Sequence, residues 1–231
     1  FVEACLGLGY PACADSNEPG SHGVGPHAMN KLDNRRISVA EAYLTREVRA
    51  RDGFMLRPDT LVRRLLFAGR KVIGVEVQAR DGVQCIETDH VVLCAGAINT
   101  PGLLLRSGVG ARADVERIGC TLVADVPAVA KRLLDHPGTA IVLRPRFGAK
   151  TSRHDPVIQT VLRYPSEGSS HPCDMLLQPG SKFTLPRFDA PLLSLMCAVG
   201  KPQGTGLIRF DSADPRARPR IESRLLDDDA D

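Results

Sequence analysis

The stretch from Val91 to Gly110 constrains this chain more than any other. It reads Val91-Val92-Leu93-Cys94-Ala95, then Gly96-Ala97-Ile98-Asn99, then Thr100-Pro101 and an apolar run ending at Ser107-Gly108. An uninterrupted apolar run such as Val91 to Ala95 suits a strand covered on both faces, often a parallel one. Ala95, Gly96 and Ala97 let backbone approach backbone, or a ligand, closely. The Thr100 hydroxyl can cap a helix, and Pro101 suits a first helical position where no N–H is required. Ser107-Gly108 supplies the stop. The segment therefore predicts a strand, a small-residue turn and a helix over Pro101 to Leu105. A helix N-terminus of that kind offers bare amides to phosphates and other electron-rich groups. An ordinary strand-to-helix crossover in an α/β sheet fits the same residues, and ligand sites in such sheets lie at the carboxyl ends of strands.

The rest of the composition narrows the classes. The chain has 231 residues, room for one large domain or two small ones, and is 43% hydrophobic and 25% charged, as a globular protein with a packed core is. The net charge is +3, and the basic residues come as scattered pairs (Arg35-Arg36, Arg63-Arg64, Lys131-Arg132) rather than a stripe. With no Trp and only 4% aromatic residues, neither a phosphate-tracking surface nor a base-stacking platform is indicated, so no nucleic-acid partner is expected. Seven cysteines form no Cys-x-x-Cys pair, which disfavours zinc or a disulfide framework and points to a reducing, cytoplasmic compartment. No metal site is expected. No apolar run reaches the roughly 18 residues of a membrane span. The chain opens on Phe1 in what reads as mid-helix and stops at Asp227-Asp228-Asp229-Ala230-Asp231, so the expectation is an internal part of a longer protein.

Along the chain, residues 1–9 suit the end of an amphipathic helix and residues 14–36 an extended Gly/Asn/Asp/Ser/Pro-rich loop. Ser38 and Glu41 have capping-box spacing and predict a short helix to Thr45. Phe54 to Pro58 is a short extended run. Leu61 to Thr88 predicts an antiparallel meander, with alternation in Val72 to Ala79 and a hairpin turn at Asp81-Gly82. Ala113 to Ile118 suggests a helix, Thr121 to Ala124 a strand, and Pro127 to Leu134 a turn with a short helical piece. Beyond Pro137, apolar runs at Thr139–Arg144, Val157–Tyr164, Asp174–Gln178, Leu192–Val199 and Gly206–Phe210, separated by Pro/Gly/Ser loops, suit an antiparallel sheet. The expected division is residues 1–136 and 137–231.

Chemistry-bearing motifs are few. His90, His22, His27, His154 and His171 fall at strand edges or in loops without metal-ligand spacing, and His136 precedes a proline in a way that suits loop structure. There is no Gly-x-Ser-x-Gly elbow. The terminal acidic run lacks the glycine and spaced ligands of a calcium loop.

The run Gly96-Ala97-Ile98-Asn99-Thr100-Pro101-Gly102-Leu103-Leu104-Leu105-Arg106-Ser107-Gly108-Val109-Gly110 resembles the second signature of the glucose-methanol-choline (GMC) family of flavin oxidoreductases. Around it, Asp15-Ser16-Asn17, Gly23-Val24-Gly25, Asn30, Arg35-Arg36-Ile37-Ser38, Ala42-Tyr43-Leu44, Arg70 to Val77, Asp125 to Pro137, and Ser212 to Pro215 with Pro219-Arg220-Ile221 follow the family's order, so the resemblance covers essentially the whole chain. It implies an α/β to α+β fold, with part of a Rossmann-like FAD-binding domain over residues 1–136 and part of a substrate-binding domain with an antiparallel sheet over 137–231. It implies FAD as cofactor, a small alcohol as substrate and oxidation of a CH–OH group by hydride transfer to flavin, in the manner of choline dehydrogenase. It places Val62, through its backbone, at the adenine end, and Cys94, Ala95 and Gly96 against the cofactor, with Thr100 and Pro101 fixing the following turn. It assigns no catalytic residue here, since the family's catalytic His lies in a segment after residue 231 and its Gly-x-Gly-x-x-Gly unit before residue 1; Gly7-Leu8-Gly9-Tyr10 lacks the third glycine. The chain departs from the family at Ala128 and Ala130, where glycine is usual. A catalytically inactive truncated product and a non-enzymatic binding module are the alternative readings.

Overall fold

The computed structural model describes residues 1–33, 35–148, 157–185, 188–229 and 231, with side chains of 182–191 excepted. In chain order the elements are α1 Val2–Gly7, β1 Gly23–Pro26, β2 Lys31–Leu32, β3 Arg35–Arg36, α2 Val39–Ala42 and α3 Arg46–Arg49. There follow β4 Leu61–Ala68, β5 Lys71–Ala79, β6 Gly82–Glu87, α4 Gly96–Arg106, β7 Val109–Gly110, α5 Arg112–Arg117 and β8 Ala124–Asp125. The remainder is β9 Gly138–Leu143, β10 Thr160–Tyr164, β11 Met175–Leu185, β12 Phe188–Val199, β13 Leu207–Arg209 and β14 Arg220–Glu222. The chain divides into two compact units, each discontinuous in sequence: residues 1–51 with 136–203 and 228–231, and residues 52–135 with 204–227.

In the first unit, a five-stranded antiparallel sheet runs in the order β1-β10-β11-β12-β9. Four of its strands arise from the apolar runs expected to pair. The fifth, β1, lies inside the segment expected to be a loop. Gly23-Val24-Gly25-Pro26 carries one large apolar side chain and gives almost no strand signal. It is held because the strand must pass very close to the preceding chain. A Cβ at Gly23 would collide with the Pro11 carbonyl and one at Gly25 with the Cys13 carbonyl, and Gly23 also sits at φ +101°. Val24, 1% exposed, then packs with Cys5 and Leu162, and α1 covers this part of the sheet. Tyr10 and Tyr164 add an edge-to-face contact with centroids 5.8 Å apart. The expected capping box of α2 is present: the Glu41 N–H donates to Ser38 Oγ, and the Ser38 N–H donates to the Glu41 carboxylate. Near the far end of the sheet Asp174 accepts from the Ser166 N–H (2.8 Å) and hydroxyl (2.6 Å). Burial would raise its carboxyl, but these bonds outweigh it and hold it at about 2.

The second unit holds the meander β4-β5-β6, formed as expected. Ala79 pairs with Gly82, so the turn residues are Arg80-Asp81, with Gly82 at φ +122° opening β6. Leu105, Val115, Ile118, Ile208 and Phe210 form its core, drawing on α4, α5 and the β13 region. Gly206–Phe210 therefore does not extend the large sheet; β13 pairs with β14 in a separate ribbon. The strand expected at Thr121–Ala124 is reduced to β8, parallel to β7 over two residue pairs. The helical piece expected in Pro127–Leu134 is a series of turns. Ala130, where the family usually has glycine, adopts φ +64° there, a left-handed conformation that costs a residue with a Cβ roughly 1–2 kcal/mol. Asp114 is buried and bonded to Lys131 (2.6 Å) and Arg117 (2.7 Å), which ties this loop to α5. Burial would raise the Asp114 carboxyl; the bonds from Lys131 and Arg117 outweigh it and lower it. No helix among the described residues is long and apolar enough to cross a membrane.

Candidate functional site

The site grows from α4. This helix starts at Gly96, five residues before the Pro101 start expected from the sequence. Thr-Pro is a strong start signal, but here Pro101 is the sixth helical residue. It forgoes the bond its missing N–H would have made to the Ala97 carbonyl. Ala95 occupies the N-cap position and makes no side-chain capping bond. The first-turn amides are therefore left without the usual hydroxyl or carboxylate partner.

Gly96 stands at φ +83°, a conformation that favours glycine, and among the described residues no atom beyond its chain neighbours and its own helix backbone lies within 4 Å of the position its Cβ would take. Cys94, Ala95, Gly96, Ala97, Ile98 and Asn99 are all exposed. The preceding segment, expected to be a buried strand, is not hydrogen-bonded to any strand among the described residues. Val92 is 87% exposed. The apolar run is present, but the ladder that would make it a strand is not among the described elements.

The other end of α4 is closed. Leu103 and Leu105 are 5% and 1% exposed. Ser107 Oγ donates to the Leu103 carbonyl (2.6 Å) and accepts from the Leu65 N–H of β4 (2.8 Å). Arg106 Nε donates to the Arg63 carbonyl (3.1 Å). These bonds satisfy the Leu65 N–H and the Arg63 carbonyl of β4, and Gly108, at φ +83°, ends the helix where a Cβ would strike the Thr121 carbonyl.

The structure thus brings Cys94, Ala95 and Gly96 together at one end of α4. Val62 is not beside them. It lies on β4 next to Arg63, which is bonded to the opposite end of an 11-residue helix about 16 Å long. Of the histidines, His90 is exposed and 2.8 Å from Asp89, His22 and His171 are exposed, and His154 lies outside the described residues. His27, expected to be ordinary loop polarity, has a buried Nδ1 without a hydrogen-bond partner among the described residues. Its place beside a strand that the sequence does not announce explains why no local signal marked it. Among the described residues no cluster of three or more His, Cys, Asp or Glu could hold a metal.

A mixed α/β chain with antiparallel sheets, an uncapped helix start and an open glycine turn belongs to a known architectural class. The GMC oxidoreductase family matches residues 1–138. A GMC-type oxidoreductase of Rhodococcus erythropolis is 33% identical over 224 residues, covering 96% of this chain and 44% of the relative. The 5-(hydroxymethyl)furfural oxidase of Methylovorus sp. (strain MP688) is 31% identical, covering 100% and 43%. The crystal structure of pyridoxine 4-oxidase from Mesorbium loti superposes with a TM-score of 0.87 at 27% identity, covering 100% of this chain and 47% of that one. The chain belongs to the GMC oxidoreductase family. It spans about half the length of the relatives it matches.

Proposed function

We propose that this chain is the part of an FAD-dependent oxidoreductase that supports the cofactor at the N-terminus of α4 and carries a substrate sheet, and that the protein oxidises the CH–OH group of a small alcohol. Family membership supports the reaction class. The observation that carries the site is the turn at Gly96: left-handed, open in front and followed by uncapped amides. Those features fit a flavin cofactor's electron-rich atoms, which need donors and close backbone approach. When bound, the flavin supplies the redox chemistry by accepting hydride.

The chain's own residues bind and orient. The amides at Gly96 and Ala97 have no acceptor among the described residues. Cys94 and Ala95, exposed and small, line the approach. Thr100 and Pro101, inside the helix rather than at its start, stiffen the turn that follows Gly96. Val62 remains the proposed adenine contact through its backbone, at a separate point along the unit. A catalytic base is assigned to no residue of this chain.

The substrate to try first is a hydroxymethyl arene. The 5-(hydroxymethyl)furfural oxidase matches both units, whereas human mitochondrial choline dehydrogenase, 36% identical, matches 137 residues, or 59% of the chain. A cytoplasmic location is supported by seven cysteines that are all free thiols.

The test is flavin content and turnover of the purified protein carrying this chain. The unmodified protein is expected to show flavin absorbance and to oxidise 5-(hydroxymethyl)furfural. Gly96→Ala, which forces a side chain into left-handed backbone, is expected to lower flavin content. Full flavin occupancy in that variant would remove Gly96 from the cofactor site, and a colourless, FAD-indifferent parent would overturn the whole reading.

A further inference from the structure

A cavity of about 330 Å³ in the second unit is walled by three arginines, Arg63, Arg64 and Arg106, together with Glu76, Val83 and Cys120. Its construction begins with a defect in the meander. Val62 pairs with Val77 and Arg64 with Glu76, so Arg63 is an extra residue in β4. A bulge of this kind sets two consecutive residues against one partner position. Both guanidinium groups accordingly reach the same carboxylate: Arg63 Nε is 3.2 Å from Glu76 Oε1 and Arg64 Nη2 is 2.9 Å from Oε2. Arg106 comes over from the last turn of α4 to donate to the Arg63 carbonyl.

The charges do not balance. Glu76 spends one oxygen on each of two arginines. Arg106 uses Nε on a neutral carbonyl and makes no ion pair among the described residues. Its partial burial disfavours the charged form, lowering its pKa, while the thiol of Cys120 and the exposed carboxylate of Asp214 act on it more weakly and in the opposite sense. Its place in the last helical turn offsets the partial negative charge of the helix end. Three cations against one partly exposed carboxylate, with Asp214 outside, leave the wall positive. Arginine is the side chain best matched to phosphate, through paired N–H donors. The volume is at the lower end of small-molecule sites, too small for a nucleotide but sufficient for a compact anion.

We propose that this cavity binds a dianionic phosphate, either the free ion or the monoester of a small molecule, held by Arg106 and the bulged pair Arg63 and Arg64. The site stands at the opposite end of α4 from the Gly96 turn, and it does not rest on the flavin reading.

Titration calorimetry of the purified protein carrying this chain, as isolated, tests it, with inorganic phosphate and glycerol 3-phosphate as separate probes in chloride buffer of fixed ionic strength. One saturable site is expected, weakened about tenfold or more by Arg106→Gln. Arg64→Gln, at a more exposed residue, is expected to weaken it less and provides a second variant should the first fail to fold. Phosphate should raise the thermal unfolding midpoint of the parent and not that of Arg106→Gln. Tighter binding of glycerol 3-phosphate assigns the site to a monoester, and equal or weaker binding to the free ion. Absence of saturable binding, or equal binding by the parent and both variants, would overturn the proposal. So would release of flavin during the titration, because the cavity would then be part of the cofactor site.

Discussion

At its C-terminal end, α4 buries Leu103 and Leu105, locks Ser107 between two backbone partners and sends Arg106 to β4. At the N-terminal end of this 11-residue helix, Gly96 to Asn99 are exposed and the side-chain cap is missing. One helix is therefore anchored at one end and open at the other. The closed end spends its polar groups on the protein itself. The open end leaves its first-turn donors without a capping partner among the described residues. Rigid anchoring at a distance from an unsatisfied backbone is what a preorganised binding element requires.

The largest expected effect comes from breaking the anchor. Leu105→Ala empties a position that is 1% exposed within the core of the second unit, and a loss of about 2–5 kcal/mol is expected in denaturant unfolding. The matched change at the open end, Ile98→Ala at a residue 40% exposed, should cost no more than about 0.5 kcal/mol. Equal losses would erase the distinction between the two ends. Ser107→Ala comes next. It removes the acceptor of the buried Leu65 N–H, for an expected loss of about 1–3 kcal/mol in the same experiment. A loss indistinguishable from zero would show that β4 is held without α4.

The smallest change runs the other way. Ala130 packs against the same core and accepts the Ile208 N–H through its carbonyl, so its left-handed backbone is held in place by its neighbours. Ala130→Gly relieves that conformation but loosens the unfolded chain. The balance should stabilise by about 0.5–1 kcal/mol, read as a higher unfolding midpoint. A lower midpoint would mean that the methyl group's packing outweighs the strain.

These contrasts separate what local sequence can announce from what it cannot. The meander, the capping box at Ser38 and the helix end at Ser107-Gly108 were legible because alternation, cap spacing and glycine act over a few residues. The strand β1 was hidden because it consists of small residues selected by a close crossing of distant backbone. The start of α4 was misplaced because Thr100-Pro101 imitates a helix start, while the real one has no capping side chain. The small residues at Ala95 to Ala97 were legible, but they open the helix instead of preceding it. The bulge at Arg63 was invisible to a period-two reading, since an extra residue in a strand shows only when its partner's register is known. The resemblance carried the family; the positive φ at Gly96 and Ala130 gave two of its glycine positions a physical meaning.

The central claim, that the open end of α4 is the cofactor-bearing end, is tested most directly by amide hydrogen exchange on the protein with and without bound FAD. The account predicts slower exchange at Gly96 to Asn99 when FAD is bound, with Leu103 to Ser107 protected in both states. Unchanged exchange at Gly96 to Asn99 in a protein that demonstrably holds FAD would contradict it.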